Sequence, residues 1–293
     1  MSNRQSPIGN RQSDAGNRQS EIGNRQSEAP IGIFDSGVGG LTVVRAIERR
    51  LPNESLIYLG DTARIPYGVR SPATIERYSL ECARFVQSKG VKAIVIACNT
   101  ASALAANFLR GKCSIPVIGV IRPGSQRAVE QTRNGQIGVI ATESTVSSGA
   151  YERAILAIRS GVEVTSRACP LFVPLAEEGW LDHPVTFQIA EEYLAALRSS
   201  RVDTLVLGCT HYPILRPVIE RTLGDHIAYV DSGEAVAEVL AARLAEEGLA
   251  RDGGPPPTEE FYVTDSAVRF RRVAELFLGR PLESVETVEL GTI

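Results

Sequence analysis

Two cysteines stand in matched settings 111 residues apart: 91–102 reads VKAIVIACNTAS and 202–213 reads VDTLVLGCTHYP. Each stretch is a buried-type strand, a small residue, a cysteine and then Asn-Thr or Thr-His. A cysteine that ends a strand and opens a turn into a helix lies beside unpaired backbone N–H groups, which lower a thiol pKa from about 8.5 and raise its thiolate content. His211, two residues beyond Cys209, can share a proton with that thiol or with a substrate ammonium. A disulfide oxidoreductase would use C-x-x-C, which is absent. A covalent thiol enzyme needs one cysteine and a base and leaves the second cysteine without a role. Two thiols on opposite faces of one carbon could take a proton from one side and return one on the other, inverting a stereocentre without a cofactor. Of the three chemistries, only this one uses the symmetry.

The other cysteines carry no such pattern. Cys82 falls in an amphipathic helical stretch, and Cys113 and Cys169 precede a strand or proline, as small buried hydrophobes do. Five cysteines with no metal-ligand spacing fit a reducing cytoplasm, and no metal is implied. The loop DSGVGGLT (35–42) follows the run IGIF and lacks both the third glycine of a dinucleotide fingerprint and the Lys-Ser/Thr of a phosphate loop. Its glycines let the backbone approach a ligand, its N–H groups could hold a carboxylate, and Asp35 could orient an ammonium or act on a neighbouring thiol. On composition alone, GDTAR (60–64) is an ordinary strand exit. His183 and His226 lie in polar, solvent-exposed contexts.

These residues sit in a chain of 293 residues with 43% hydrophobic and 22% charged side chains and a net charge of −3. That composition supports a sizeable core, and it excludes a collagen, a disulfide-stapled mini-protein and a basic nucleic-acid stripe. No apolar run reaches a membrane span. Residues 1–30 repeat Asn-Arg-Gln-Ser every seven positions, with one apolar residue per repeat and glycines in between, and read as a disordered low-complexity tail. Strands are predicted at 31–34, 56–59, 93–97, 117–120, 137–140, 162–166, 204–207 and 227–230. Helical patterns lie between them at 41–51, 74–88, 101–110, 148–159, 186–199 and 234–247. Strands apolar throughout and separated by helices predict parallel sheets covered on both faces. The cysteine pseudo-repeat, with a weaker echo of Asp35-Ser36-Gly37 in Asp231-Ser232-Gly233, favours two similar doubly wound α/β lobes over one barrel. The site is expected in the cleft between them, at the carboxyl ends of the strands. The stretch 251–257 (RDGGPPP) reads as a loop, and 258–293 is too short for a domain of its own and is expected to pack back on the first lobe.

The motifs DSGVGGLTV (35–43), GDTARIPYG (60–68), ACNTAS (97–102), PLAEEG (174–179), GCTHYP (208–213) and VDSGEAVA (230–237) together resemble the glutamate racemases of the cofactor-independent aspartate/glutamate racemase superfamily. The resemblance covers 31–293 and implies a first lobe at 31–122, a second at 123–231 and a segment at 232–293 that returns to the first. It implies interconversion of L- and D-glutamate without a cofactor, supplying D-glutamate for peptidoglycan, in a cytoplasmic homodimer with no nucleic-acid or membrane partner. It implies that Cys98 takes the α-proton of D-glutamate and Cys209 that of L-glutamate, with Asp35, His211, Asp61 and Glu177 managing protons. Ser36, Pro66, Tyr67, Gly68, Asn99, Thr100 and Thr210 would hold the substrate beside Asp35 and His211, without an arginine cradle. Two other readings stand beside it: an aspartate racemase-like enzyme, and a non-catalytic protein-binding role of the same fold.

Overall fold

A computed structural model describes residues 26–291. Most of the predicted tail, 1–25, lies outside the described residues. Of its remainder, Gln26–Glu28 make a helical turn whose Ser27 carbonyl accepts from Lys92 Nζ at 2.6 Å.

Ten strands follow in chain order: β1 (Ile31–Asp35), β2 (Leu56–Gly60), β3 (Ala93–Ile96), β4 (Val117–Gly119), β5 (Gln136–Ala141), β6 (Glu163–Ala168), β7 (Thr204–Gly208), β8 (Ala228–Asp231), β9 (Glu259–Val263) and β10 (Glu286–Thr287). All eight strands expected from the apolar runs are present. One sheet has the order β10-β9-β2-β1-β3-β4 and the other β6-β5-β7-β8, and every pairing is parallel. Without β9 and β10, the two sheets share one winding, second-first-third-fourth. The fold is thus two like-wound α/β lobes, and the returning segment extends the first sheet by pairing β9 with β2. β1, β2, β3 and β7 are buried along their whole length, as strands covered by helices on both faces must be.

The lobes share a core. One apolar cluster runs from Ile33, Val44 and Tyr58 of the first lobe to Leu205, Leu207 and Tyr212 of the second. The helix Ser232–Glu246 packs on both Leu41–Arg50 and Ile121–Gln131. It comes so close to the first that a Cβ on Gly233 would lie 3.3 Å from the Val43 Cα.

Three local expectations change. The helix predicted at 148–159 spans Ala150–Ile158, and a short helix outside the predicted range, Glu143–Ser147, precedes it, the two separated where Gly149 takes a left-handed φ of 59°. The helix Ile121–Gln131 forms despite Pro123 and Gly124, because proline in a first turn has no N–H bond to lose. The echo of Asp35 in Asp231 does not mark equivalent places. Asp35 ends the first strand of its winding and Asp231 the fourth, where its side chain caps the helix Ser232–Glu246. The true counterpart of the Asp35 turn is the turn after β5.

Candidate active site

In a doubly wound sheet the crevice opens where the strand order reverses, here between β1 and β3 in one lobe and β5 and β7 in the other. The turns after these four strands face one cavity of about 300 Å³. Of the residues expected from sequence, Ser36, Pro66, Tyr67, Gly68, Cys98, Asn99, Thr100, Glu177, Cys209, Thr210 and His211 line it, and Asp35 and Asp61 do not. No arginine or lysine is among the lining residues, so an acidic ligand would meet backbone N–H groups, hydroxyls and His211.

Cys98 follows β3 and caps the helix Asn99–Arg110, its sulfur accepting from the Ala101 N–H at 3.5 Å. The Ser36 hydroxyl lies 3.6 Å from the same sulfur. By themselves such contacts depress a thiol, as expected from the sequence. Burial and the nearby carboxylate of Asp35 outweigh them, and Cys98 is pushed up to about 12. Asp35 itself is fully buried. Its Oδ2 accepts from the N–H groups of Gly37 (3.1 Å) and Gly40 (2.9 Å), while Oδ1 has no partner among the described residues. The N–H groups expected to hold a ligand carboxylate therefore hold Asp35 instead. Burial raises the Asp35 carboxyl against the pull of His211 and of those N–H groups.

Cys209 follows β7, and its environment differs. His211 Nδ1 lies 3.8 Å from the sulfur, His211 Nε2 lies 3.1 Å from Glu177 Oε1, and Arg269 reaches Glu177 Oε2 at 3.5 Å. Burial works against a charged imidazole, but the hydrogen bonds and negative charges of Cys209 and Glu177 win and carry His211 up to about 10. Glu177 is lowered, since His211 and Arg269 more than offset its burial. One thiol thus keeps its proton while an imidazolium stands beside the other. A folded value above the ordinary 6.5 means that these ionised contacts stabilise the protein fully below about pH 6.5 and are lost as pH rises through about 10. We expect kcat/KM to fall as pH rises through about 10, and this alkaline limb to move down in Glu177→Gln. Matched pH–rate profiles check this; an unmoved limb in the variant refutes the charge coupling.

Asp61 sits outside the cavity lining, among partners of its own. It is fully buried, and its carboxylate accepts from Arg64 Nε at 2.6 Å, Tyr67 Oη at 2.5 Å and Thr264 Oγ1 at 2.9 Å. These bonds tie the loop carrying Pro66, Tyr67 and Gly68 to the returning segment. Asp61→Ala should cost about 1–3 kcal/mol, since it leaves the buried Tyr67 hydroxyl without its carboxylate partner, while Arg64 keeps its pairing with Glu81. Asp61→Asn should leave kcat within about tenfold while lowering the melting temperature. A calorimetric scan beside a rate measurement separates the two, and a large kcat loss at unchanged melting temperature would show Asp61 acting on the substrate.

Sequence reasoning passed over Thr142. It follows β5 directly, lines the cavity, and its hydroxyl lies 3.0 Å from that of Thr100 and 2.9 Å from that of Thr145. The first residue past the strand at a topological switch point was the available signal. Gly37, Ile65, Val69, Glu143, Pro170, Val173 and Pro174 also line the cavity. They come from connecting loops and short helical segments, where no periodicity marks them. Among the described residues no three His, Cys, Asp or Glu side chains gather as metal ligands. No helix there is long and apolar enough to cross a membrane.

Two lobes of like winding, each delivering one thiol to a shared polar cavity, define a two-lobed α/β protein with a paired-thiol site. The chain belongs to the Asp/Glu/Hydantoin racemase family, whose pattern matches residues 31–240. It is 52% identical over 260 residues to a glutamate racemase of Geobacter metallireducens, covering 89% of this chain and 96% of that one. The crystal structure of glutamate racemase isoform RacE1 from Bacillus anthracis superposes with a TM-score of 0.87 at 40% identity, covering 90% of this chain and 98% of that one. The glutamate racemase of Francisella tularensis, solved in complex with D-glutamate, gives a TM-score of 0.85 at 40% identity and 91% and 100% coverage.

Proposed function

We propose that this chain interconverts L- and D-glutamate by a two-base proton transfer between Cys209 and Cys98. The observation that carries the reading is the placement of the thiols. Each ends the third strand of its winding, one per lobe, and both line one cavity. In the L-to-D direction the Cys209 thiolate takes the α-proton, so the C–H bond breaks and an S–H bond forms. The carbanion then takes the proton of the Cys98 thiol on its other face, leaving Cys98 as thiolate. The reverse direction starts from that second form. The α-proton of an amino acid is very weakly acidic, so the carbanion needs fixed dipoles and exclusion of water, which a cavity closed between two lobes supplies. His211, held protonated by Cys209 and Glu177, stabilises the Cys209 thiolate that starts the L-to-D direction. Asp35 acts on Cys98 through its charge, and Asp61 acts by positioning Tyr67. Ser36, Thr100, Thr210 and the Pro66–Gly68 loop are the expected substrate contacts. D-glutamate production for peptidoglycan in the cytoplasm, by a homodimer, is the role this reading implies. Incubation with L-glutamate in deuterated water tests it: optical rotation should decay to zero while deuterium enters the α-position. Faster turnover of aspartate than of glutamate would replace the substrate.

A further inference from the structure

Asn99 lines the cavity next to Cys98 and is almost fully buried, yet its Oδ1 has no partner among the described residues. A buried amide oxygen left unpaired costs free energy unless a ligand supplies the donor. What faces it the right way lies outside the cavity. Asn99 Nδ2 donates to Tyr151 Oη at 2.8 Å, Tyr151 Oη and Ser232 Oγ are 2.8 Å apart, and Ser232 Oγ donates to the Leu207 carbonyl at 3.3 Å. The hydrogens in this series are fixed by counting. Ser232 has one hydrogen and gives it to Leu207, so Tyr151 must give its own to Ser232. Tyr151 oxygen can then only accept, which admits the Asn99 amide N–H and excludes its oxygen. The series also joins the two cysteines: Asn99 adjoins Cys98, and Leu207 is two residues before Cys209. The Tyr151 ring packs so tightly on Gly208 that a Cβ there would sit 3.0 Å from Tyr151 Cε2.

We infer that Tyr151 and Ser232 are positioning residues that lock the Asn99 amide with its oxygen free to accept from the α-ammonium of the substrate. This rests on the amino-acid racemase reading above, in which Asn99 is already an expected substrate contact, and adds the two residues that set the orientation of its amide. The inference predicts a loss selective for ligands that carry an amine. In Tyr151→Phe, KM for both enantiomers of glutamate rises about tenfold, the size of a hydrogen bond to a charged group. Inhibition by glutarate, the same dicarboxylate without the amine, stays within twofold of wild type. Ser232→Ala frees the tyrosine hydrogen to turn toward Asn99, and it produces the same contrast at a few-fold. Should Tyr151→Phe melt early, Ser232→Ala carries the test alone. Equal weakening of glutamate and glutarate, or no change in either, overturns the assignment. Wild-type turnover of glutamate in the same assay shows separately whether the functional reading stands.

Discussion

Cys98→Ala and Cys209→Ala each lower kcat/KM by about 10³-fold or more, equally for L- and D-glutamate, while each keeps α-hydrogen exchange with one enantiomer only. The size follows from removing a positioned acid–base group, which typically contributes 10² to 10⁴-fold. The equality follows from thermodynamics. Enantiomers have the same free energy in water, so the equilibrium constant is one and kcat/KM must match in both directions for any variant. A damaged side of the site therefore cannot show itself in net racemisation, and the exchange experiment is where the asymmetry appears. Cys98→Ala retains Cys209 with His211 beside it, so it should wash deuterium into L-glutamate and not into the D form. Cys209→Ala should do the converse. It should also be slower near neutrality and speed up with rising pH, because burial and Asp35 hold Cys98 up at about 12 and little of it is thiolate. Mass spectrometry of each enantiomer recovered from deuterated buffer reads both outcomes. Exchange of both enantiomers by either variant means that one base serves both faces, and the two-thiol mechanism fails.

The cysteines were legible because a strand end is a local feature that survives in one dimension. An apolar run of four to seven residues, a small residue and a cysteine recur together, and the parallel sheets put both at the same rim. The winding order was not legible as such, since periodicity says that a segment is a strand and not which strands it joins. That is why Asp231 could pass for a repeat of Asp35 and why Thr142, the residue that does occupy the matching turn, drew no notice. The charge state of Cys98 also escaped, because helix N–H groups are visible in sequence while burial and the approach of Asp35 are three-dimensional. Asp61 shows the same limit from the other side. Its motif was readable, but its partners Tyr67 and Thr264 are 6 and 203 residues away, and only the second reveals that the carboxylate fastens a loop.

Gly39→Ala should lower kcat about 10²-fold although no atom of Gly39 lines the cavity. A Cβ at that position would sit 2.4 Å from both His211 Nδ1 and Thr210 Oγ1 and 2.5 Å from His211 Cε1. The loop of the first lobe is pressed against the turn of the second that carries Cys209 and His211, and Thr42 Oγ1 fastens it there by donating to the Thr210 carbonyl at 3.0 Å. Gly39 has an ordinary φ, so the substitution acts by contact and not by backbone strain. His211 cannot retreat freely, because Glu177 holds its far nitrogen and Phe277 packs edge-on against its ring at 5.2 Å. It must move by about an ångström or the lobes must part. A displacement of that size in a reacting group costs about 10² in rate, and overpacking of this kind removes about 1–3 kcal/mol of stability. The Cys209 to His211 contact, already at 3.8 Å, is the first to break, so the alkaline limb set by His211 should move down in the same variant. Gly37→Ala is the internal control. Its Cβ would meet nothing nearer than Ile65 Cγ2 at 3.5 Å, so a modest rise in KM with unchanged kcat and pH profile is expected. If the two variants behave alike, the loop is a substrate contact and not a wedge against His211. If they differ as described, the acid–base geometry of one lobe is set by a glycine of the other, and the reason for a glycine at 39 is the absence of a side chain where two lobes meet.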